Sequence, residues 1–159
     1  MKKIVLFDTA QGTTNEGDYI IKESIEREMG YLFSGQSIVR YSTHQPVSRF
    51  FQSFRKNLIY KTCDSSDYKF LCGTNLFMNS LLRIFPNWNI NFASCKYYRD
   101  SIAIGCGMDL NAKHMDAYTK AIYRRILSHR YIHSVRDERT KLFFESLGVK
   151  AFNTGCPTL

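Results

Sequence analysis

Apolar residues occur in two spacings along this chain, and the two alternate from one end to the other. Continuous short runs at residues 2–9, 37–42, 68–72, 101–105, 132–135 and 149–152 predict strands with too few polar positions to leave one face in water. Between them, apolar side chains recur every three or four positions. Residues 18–29 predict a helix with Ile20, Ile21, Ile25 and Met29 on one side and Gly30 as its stop. Pro46 opens a second, carrying Val47, Phe50, Phe51, Phe54 and Leu58 on one face and Arg49, Arg55 and Lys56 mostly off it. Residues 112–128 predict the longest helix, and residues 76–85, with the Asn-rich piece around Trp88, a broken one.

The stretch 132–157 carries the most information. A short apolar strand ends at Val135, Asp137 follows as an N-cap with Glu138 and Thr140 just inside the helix, and Leu142, Phe143 and Leu147 keep helical spacing until Gly148. In a parallel sheet the ligand crevice lies at the carboxyl ends of the strands, so Arg136 is delivered where an anion or a sugar can sit. The plainer role for the pair is a solvated cation beside a helix cap.

Strands alternating with helices specify the doubly wound α/β class, a mostly parallel, Rossmann-like sheet covered on both faces. At 159 residues, 44% hydrophobic and 14% aromatic, the chain is expected to form one domain over residues 1–159 with a full core. It has no apolar run of about 18 residues, and its first apolar segment is too short for a secretory leader, so the cytoplasm is the expected compartment. The five cysteines (Cys63, Cys72, Cys95, Cys106, Cys156) include no Cys-x-x-Cys pair and are expected to be reduced thiols. Cys72 and Cys106 fit the core, and Cys156, beside Pro157, fits a cleft.

Four strand ends carry small or polar residues: Gly12 through Asp18, then Gly73-Thr74-Asn75, Gly105-Cys106-Gly107 and Thr154-Gly155. Glycines there allow a ligand or another backbone to come close. Familiar cofactor motifs fail at these loops. Gly12 and Gly17 have P-loop spacing, but Asp18 occupies the position of the phosphate-binding lysine, and a carboxylate repels phosphate. The third glycine of a dinucleotide fingerprint starting at Gly105 would fall on Leu110. His129 and His133 straddle a helix end and a strand, which makes a poor metal pair, and His44 and His114 lie in polar, helix-flanking contexts that fit solvated side chains. Neither a metal nor a cofactor is expected.

Five segments in order resemble the polysaccharide pyruvyl transferases: Asn15-Glu16-Gly17-Asp18, Cys72-Gly73-Thr74-Asn75, Ile104-Gly105-Cys106-Gly107, Ser134-Val135-Arg136-Asp137-Glu138 and Thr154-Gly155-Cys156-Pro157. The resemblance implies the amino-terminal lobe of a two-lobed enzyme similar to GT-B glycosyltransferases. It also implies transfer of the enolpyruvyl unit of phosphoenolpyruvate to a sugar hydroxyl, giving a pyruvate ketal on a cell-surface polysaccharide. Phosphoenolpyruvate is then the donor substrate, and a saccharide or lipid-linked saccharide the acceptor. Much of the donor site is expected in a second lobe outside this chain, leaving these 159 residues inactive alone. Asp18 and Arg136 are the candidate catalytic residues. Asn15, Gly17, Gly73, Thr74, Asn75, Gly105, Gly107 and Asp137 are the candidate substrate-binding ones.

Two other functions compete. A GT-B lobe could equally serve a sugar-nucleotide glycosyltransferase, since fold does not fix chemistry. Charge supports the other: the net charge is +8, and residues 29–63 hold no acidic side chain while Arg40, Arg49, Arg55, Lys56 and Lys61 are interleaved with Phe50, Phe51, Phe54 and Tyr60. No nucleic-acid-binding motif accompanies them, so nucleic acid is not the expected partner. A basic, aromatic segment can instead contact an anionic membrane peripherally, at the inner face of the membrane. The opposing expectation is that these aromatics pack on the sheet.

Overall fold

Four parallel strands form the central sheet in the computed structural model, which describes residues 1–82, 87–109 and 115–158. β1 (Lys3–Asp8) lies between β2 (Ser37–Ser42) and β3 (Tyr68–Cys72), and β4 (Ser101–Ile104) flanks β3. Asp8 stands opposite both Ser42 and Cys72, so these three strands end level and their carboxyl ends form one rim. β5 (His133–Val135) and β6 (Ala151–Asn153) are a further parallel pair, connected to the strand end after β4 through the Cys106–Val135 bridge.

The central strand shows why its sequence is apolar at every step. Ile4 and Leu6 pack with Phe70, Cys72, Ile25 and Phe33 beneath α1 (Glu16–Phe33). Val5 and Phe7 point the other way, into a core shared with α2 (Leu58–Asp64), α3 (Ala117–Ile126) and α4 (Glu138–Ser146). One face of the sheet is less covered than a doubly wound sheet requires. Beside α1, Ile102, Ile104 and Ile132 line an open groove of about 450 Å³.

Several elements depart from expectation. Gly30 does not stop α1, which continues to Phe33 before Gly35 turns with φ +69°. Glycine inside a helix costs about 1 kcal/mol, and burial of Phe33 against Phe70 outweighs it. The helix expected after Pro46 is a 3-10 turn at Phe50–Phe54 followed by α2. Arg55 is extended and Asn57 caps α2 by accepting from the Tyr60 N–H at 2.8 Å, so one helix becomes two pieces. The inner side of this segment is polar, and its phenylalanines face solvent. Residues 76–82 are not helical: Phe77 pairs in parallel with Met108 and, with Leu76 and Met78, is fully buried. Residues 83–85 of that expected helix, and 112–114 of the next, lie outside the described residues. α1, at 18 residues, is the longest helix described.

Beside β4, side chains replace missing ladder bonds. The Ala103 N–H donates to His133 Nδ1 at 3.0 Å, which puts the imidazole proton on Nε2, facing the Ser128 carbonyl at 2.9 Å. His133 is fully buried, and burial lowers its pKa below the ordinary 6.5, against smaller contributions that include the Ser128 hydrogen bond. The folded state therefore favours the neutral ring, and the stability it contributes is complete above pH 6.5 and lost as pH falls below that toward the depressed folded value. Denaturant titrations of wild type and His133→Phe should differ most at neutral pH. The expected loss there is about 1–3 kcal/mol for the stranded Ala103 N–H, and the gap should narrow on acidification.

Candidate functional site

The rim carries two groups of polar side chains. The first lies at the ends of β1 and β2. Asn15 caps α1 by accepting from the Gly17 N–H at 3.1 Å, and Asp18, buried in the first turn, accepts from the Thr13 hydroxyl at 3.0 Å. His44 follows the end of β2, and its N–H donates to Ser42 Oγ at 3.1 Å. That register brings its Nε2 to 3.6 Å from Asp18 Oδ2. The imidazole is partly exposed and the carboxylate sunk, an arrangement in which a buried anion orients an accessible proton acceptor. A recess of about 360 Å³ opens beside them, lined by Gln11, Gly12, Ser42 and Gln45 among others. Deeper, Asp8 Oδ2 accepts from Arg40 at 2.8 Å, and Arg40 also holds Glu26. That ion triad ties β1, β2 and α1 together.

The second group lies at the ends of β3, β4 and β5. Gly73 and Thr74 are both left-handed, with φ 66° and 59°. For threonine that conformation is strained, and such strain gathers at functional sites. It sets the Thr74 carbonyl to accept from the Gly107 N–H at 2.8 Å. A side chain at Gly107 would run into Arg136 Nε at 2.3 Å and Asn75 Oδ1 at 2.7 Å. Glycine here is thus what lets the guanidinium and the amide lie together across the rim. Asn75 Oδ1 is buried without a hydrogen-bond partner, and Arg136 is about a quarter exposed, its Nε 3.7 Å from Asp137 Oδ2. The guanidinium is thus partly open at the rim, and the buried amide oxygen beside it has unfilled hydrogen-bonding capacity.

The candidate residues therefore divide. Asp18, Asn15 and Gly17 share one end of the rim, and Thr74, Asn75, Gly107, Arg136 and Asp137 the other. β3 and β4 lie between β1 and β5, a separation of roughly 14 Å at about 4.8 Å per strand. Gly73 and Gly105 approach protein: a Cβ at Gly73 would meet Ile21 Cγ2 at 2.2 Å, and one at Gly105 would meet Pro157 Cγ at 2.1 Å. Asp137 Oδ1 is occupied as the α4 cap, accepting from Thr140 N and Oγ1 at 2.7 and 2.8 Å.

His44, expected only as a solvated side chain, stands against Asp18, and the signal available for that was its place two positions beyond a strand end. Cys106 is fully buried, and burial pushes its thiol up to about 12. Cys156 is partly exposed. Burial raises its pKa, but Thr158 hydrogen bonds and the Arg136 charge outweigh that and lower it.

Fold and rim define a parallel, Rossmann-like α/β fold with its polar crevice along the strand ends. The model of the polysaccharide pyruvyl transferase family matches residues 15–159, so the chain belongs to that family and is a transferase by membership. No curated protein and no solved structure matches it.

Proposed function

We propose that this chain takes part in moving the enolpyruvyl group of phosphoenolpyruvate onto two hydroxyls of a saccharide, free or lipid-linked, to give a cyclic pyruvate ketal. The observation that carries it is the division of the rim into a carboxylate–imidazole pair at one end and, at the other, a partly exposed guanidinium beside an amide oxygen that has no hydrogen-bond partner. His44, oriented by Asp18, takes the proton of the first hydroxyl as its oxygen bonds to C2 of the donor. C3 gains a proton from water, to which His44 later returns the one it took; the bond from C2 to the phosphate oxygen breaks, and the second hydroxyl closes the ketal as its proton passes to the departing phosphate. Arg136 receives the anionic end of the donor, and Asn75, whose unpartnered Oδ1 is an acceptor, is a hydrogen-bonding group for a saccharide hydroxyl. One guanidinium does not balance three negative charges, so the remaining cations are assigned to a second lobe, in keeping with a GT-B-like enzyme. Residues 1–159 alone are then expected to turn over no donor.

Phosphate release from phosphoenolpyruvate by the intact protein, with galactosyl and mannosyl acceptors and mass spectrometry of the product, tests this. Arg136→Ala should raise the KM for phosphoenolpyruvate at least about tenfold, the scale of one charge-assisted hydrogen bond, with little change in kcat. His44→Gln should lower kcat by about a hundredfold or more and leave that KM near wild type. Donor-independent product, or both variants behaving as wild type, would remove the assignment.

A further inference from the structure

Three phenylalanines on the connection from β2 to α2 are turned into solvent. Phe50, Phe51 and Phe54 are 56%, 83% and 66% exposed, and Leu58 beside them is 78% exposed. The rings form one cluster, with centroids 5.7 Å apart for Phe50–Phe51 and 5.2 Å for Phe50–Phe54, both edge to face. Scattered apolar residues on a surface need no explanation, but a contiguous aromatic ridge does.

The underside of the ridge explains why it stays turned out. Asn57 Nδ2 donates to Ser48 Oγ at 3.1 Å, to the Gln52 carbonyl at 3.3 Å and to Tyr97 Oη at 2.9 Å. Ser53 is buried, its N–H donating to the Arg49 carbonyl at 3.0 Å. Hydrogen-bonded polar groups thus occupy the inner side where apolar ones would ordinarily sit, and the aromatic side is held outward by a built framework.

Charge indicates what covers it. Arg49, Arg55, Lys56 and Lys61, neighbours of the rings in sequence, are all exposed, and none is in an ion pair among the described residues. Lys96 joins them, donating to the Arg55 carbonyl at 2.7 Å. No Asp or Glu occurs between Glu28 and Asp64. Aromatic side chains that enter a headgroup layer, ringed by cations that meet lipid phosphates, form the two-part signature of interfacial attachment. Among the described residues no helix is long and apolar enough to cross a membrane.

We infer that the Phe50–Phe54 ridge is a docking surface for an anionic membrane, inserting its rings among headgroups while the neighbouring arginines and lysines contact lipid phosphate. The ridge follows directly on the segment that carries His44, so attachment would set the β2 end of the crevice against the lipid surface. The inference stands on the surface itself and not on the chemistry proposed for the rim.

Sedimentation of the intact protein with vesicles tests it, using phosphatidylcholine alone and phosphatidylcholine with one third phosphatidylglycerol, at low and physiological salt. Wild type should sediment with the anionic vesicles only, and less at higher salt. The triple variant Phe50→Ser, Phe51→Ser, Phe54→Ser should lose at least about tenfold in apparent affinity, consistent with removing three inserted rings, while its thermal melt stays at or above that of wild type. Three outcomes overturn the proposal: no sedimentation with anionic vesicles at either salt, binding unaltered in the triple variant, or a concentration-dependent dimer that the triple variant abolishes without any vesicle binding.

Discussion

Gly105→Ala should lower the stability of this protein by about 2–5 kcal/mol, read as a drop in the urea midpoint. Two independent penalties add. Gly105 has φ +60°, which costs an L-residue about 1–2 kcal/mol. Its new methyl would lie 2.1 Å from Pro157 Cγ and 2.7 Å from Cδ, and relieving such a contact in packed surroundings costs about 1–3 kcal/mol. A rigid ring cannot swing aside as a flexible side chain would, so backbone must move, and the backbone nearby holds the β4–β5 joint. There the Gly105 N–H donates to Ser134 Oγ at 3.1 Å, and Ser134 and Thr154 hydroxyls share a 2.6 Å hydrogen bond. The double variant Gly105→Ala, Pro157→Gly separates the terms, because it relieves the contact and keeps the backbone penalty. Gly30→Ala, whose methyl would meet nothing inside α1, is the matched control. Equal stability of Gly105→Ala and wild type would show that this rim is not packed as described.

What the sequence disclosed depends on whether a signal was local. β1 was legible because every position from Ile4 to Phe7 is buried, whichever face it takes, leaving a continuous apolar run. α4 was legible because its cap and stop are adjacent: Asp137 accepts from Thr140, and Gly148 turns with φ +82°. Failures came where a distant contact decides. Helical spacing of Val47, Phe50, Phe54 and Leu58 implied one helix with an apolar inner face, yet Asn57 is recruited by Tyr97, forty residues away, and the segment breaks there. Gly30 looked like a terminus because propensity does not include Phe33 meeting Phe70.

The site divides in the same way. Asp18, Asn75, Gly107 and Arg136 could be listed from their positions after strands, because parallel strands deliver their ends to one rim. Which of them meet could not be read. Arg136 reaches Asn75 only because Gly107 leaves room, and His44 reaches Asp18 only because β2 pairs beside β1 in register. Glycines that suggested room for a ligand at 73 and 105 are filled by Ile21 and Pro157, a distinction that requires knowing where α1 and the segment after β6 lie.

Phe77→Ala should cost about 3–5 kcal/mol, the range for removing a large aromatic from a packed interior. Phe77 is fully buried, and its ring lies edge to face with Trp88 at 5.8 Å, Tyr123 at 5.2 Å and Phe144 at 4.9 Å, with Phe143 at 6.2 Å. Few side chains can shift to fill the space. Tyr123 is fixed by its hydroxyl, which accepts from the Met78 N–H and donates to the Met78 carbonyl, both at 3.1 Å, so a cavity persists and adds to the lost transfer energy. The effect should extend to the rim, because the Phe77 N–H donates to the Gly107 carbonyl at 3.2 Å and the Phe77 carbonyl accepts from the Asp109 N–H at 2.8 Å. Loosening residue 77 frees the strand on which Arg136 rests, so the variant should lose donor affinity as well as near-ultraviolet dichroism. Phe51→Ala, the same deletion at an 83% exposed ring, should leave both unchanged. If the two variants melt together, the inner and outer aromatics of this fold have been assigned the wrong way round.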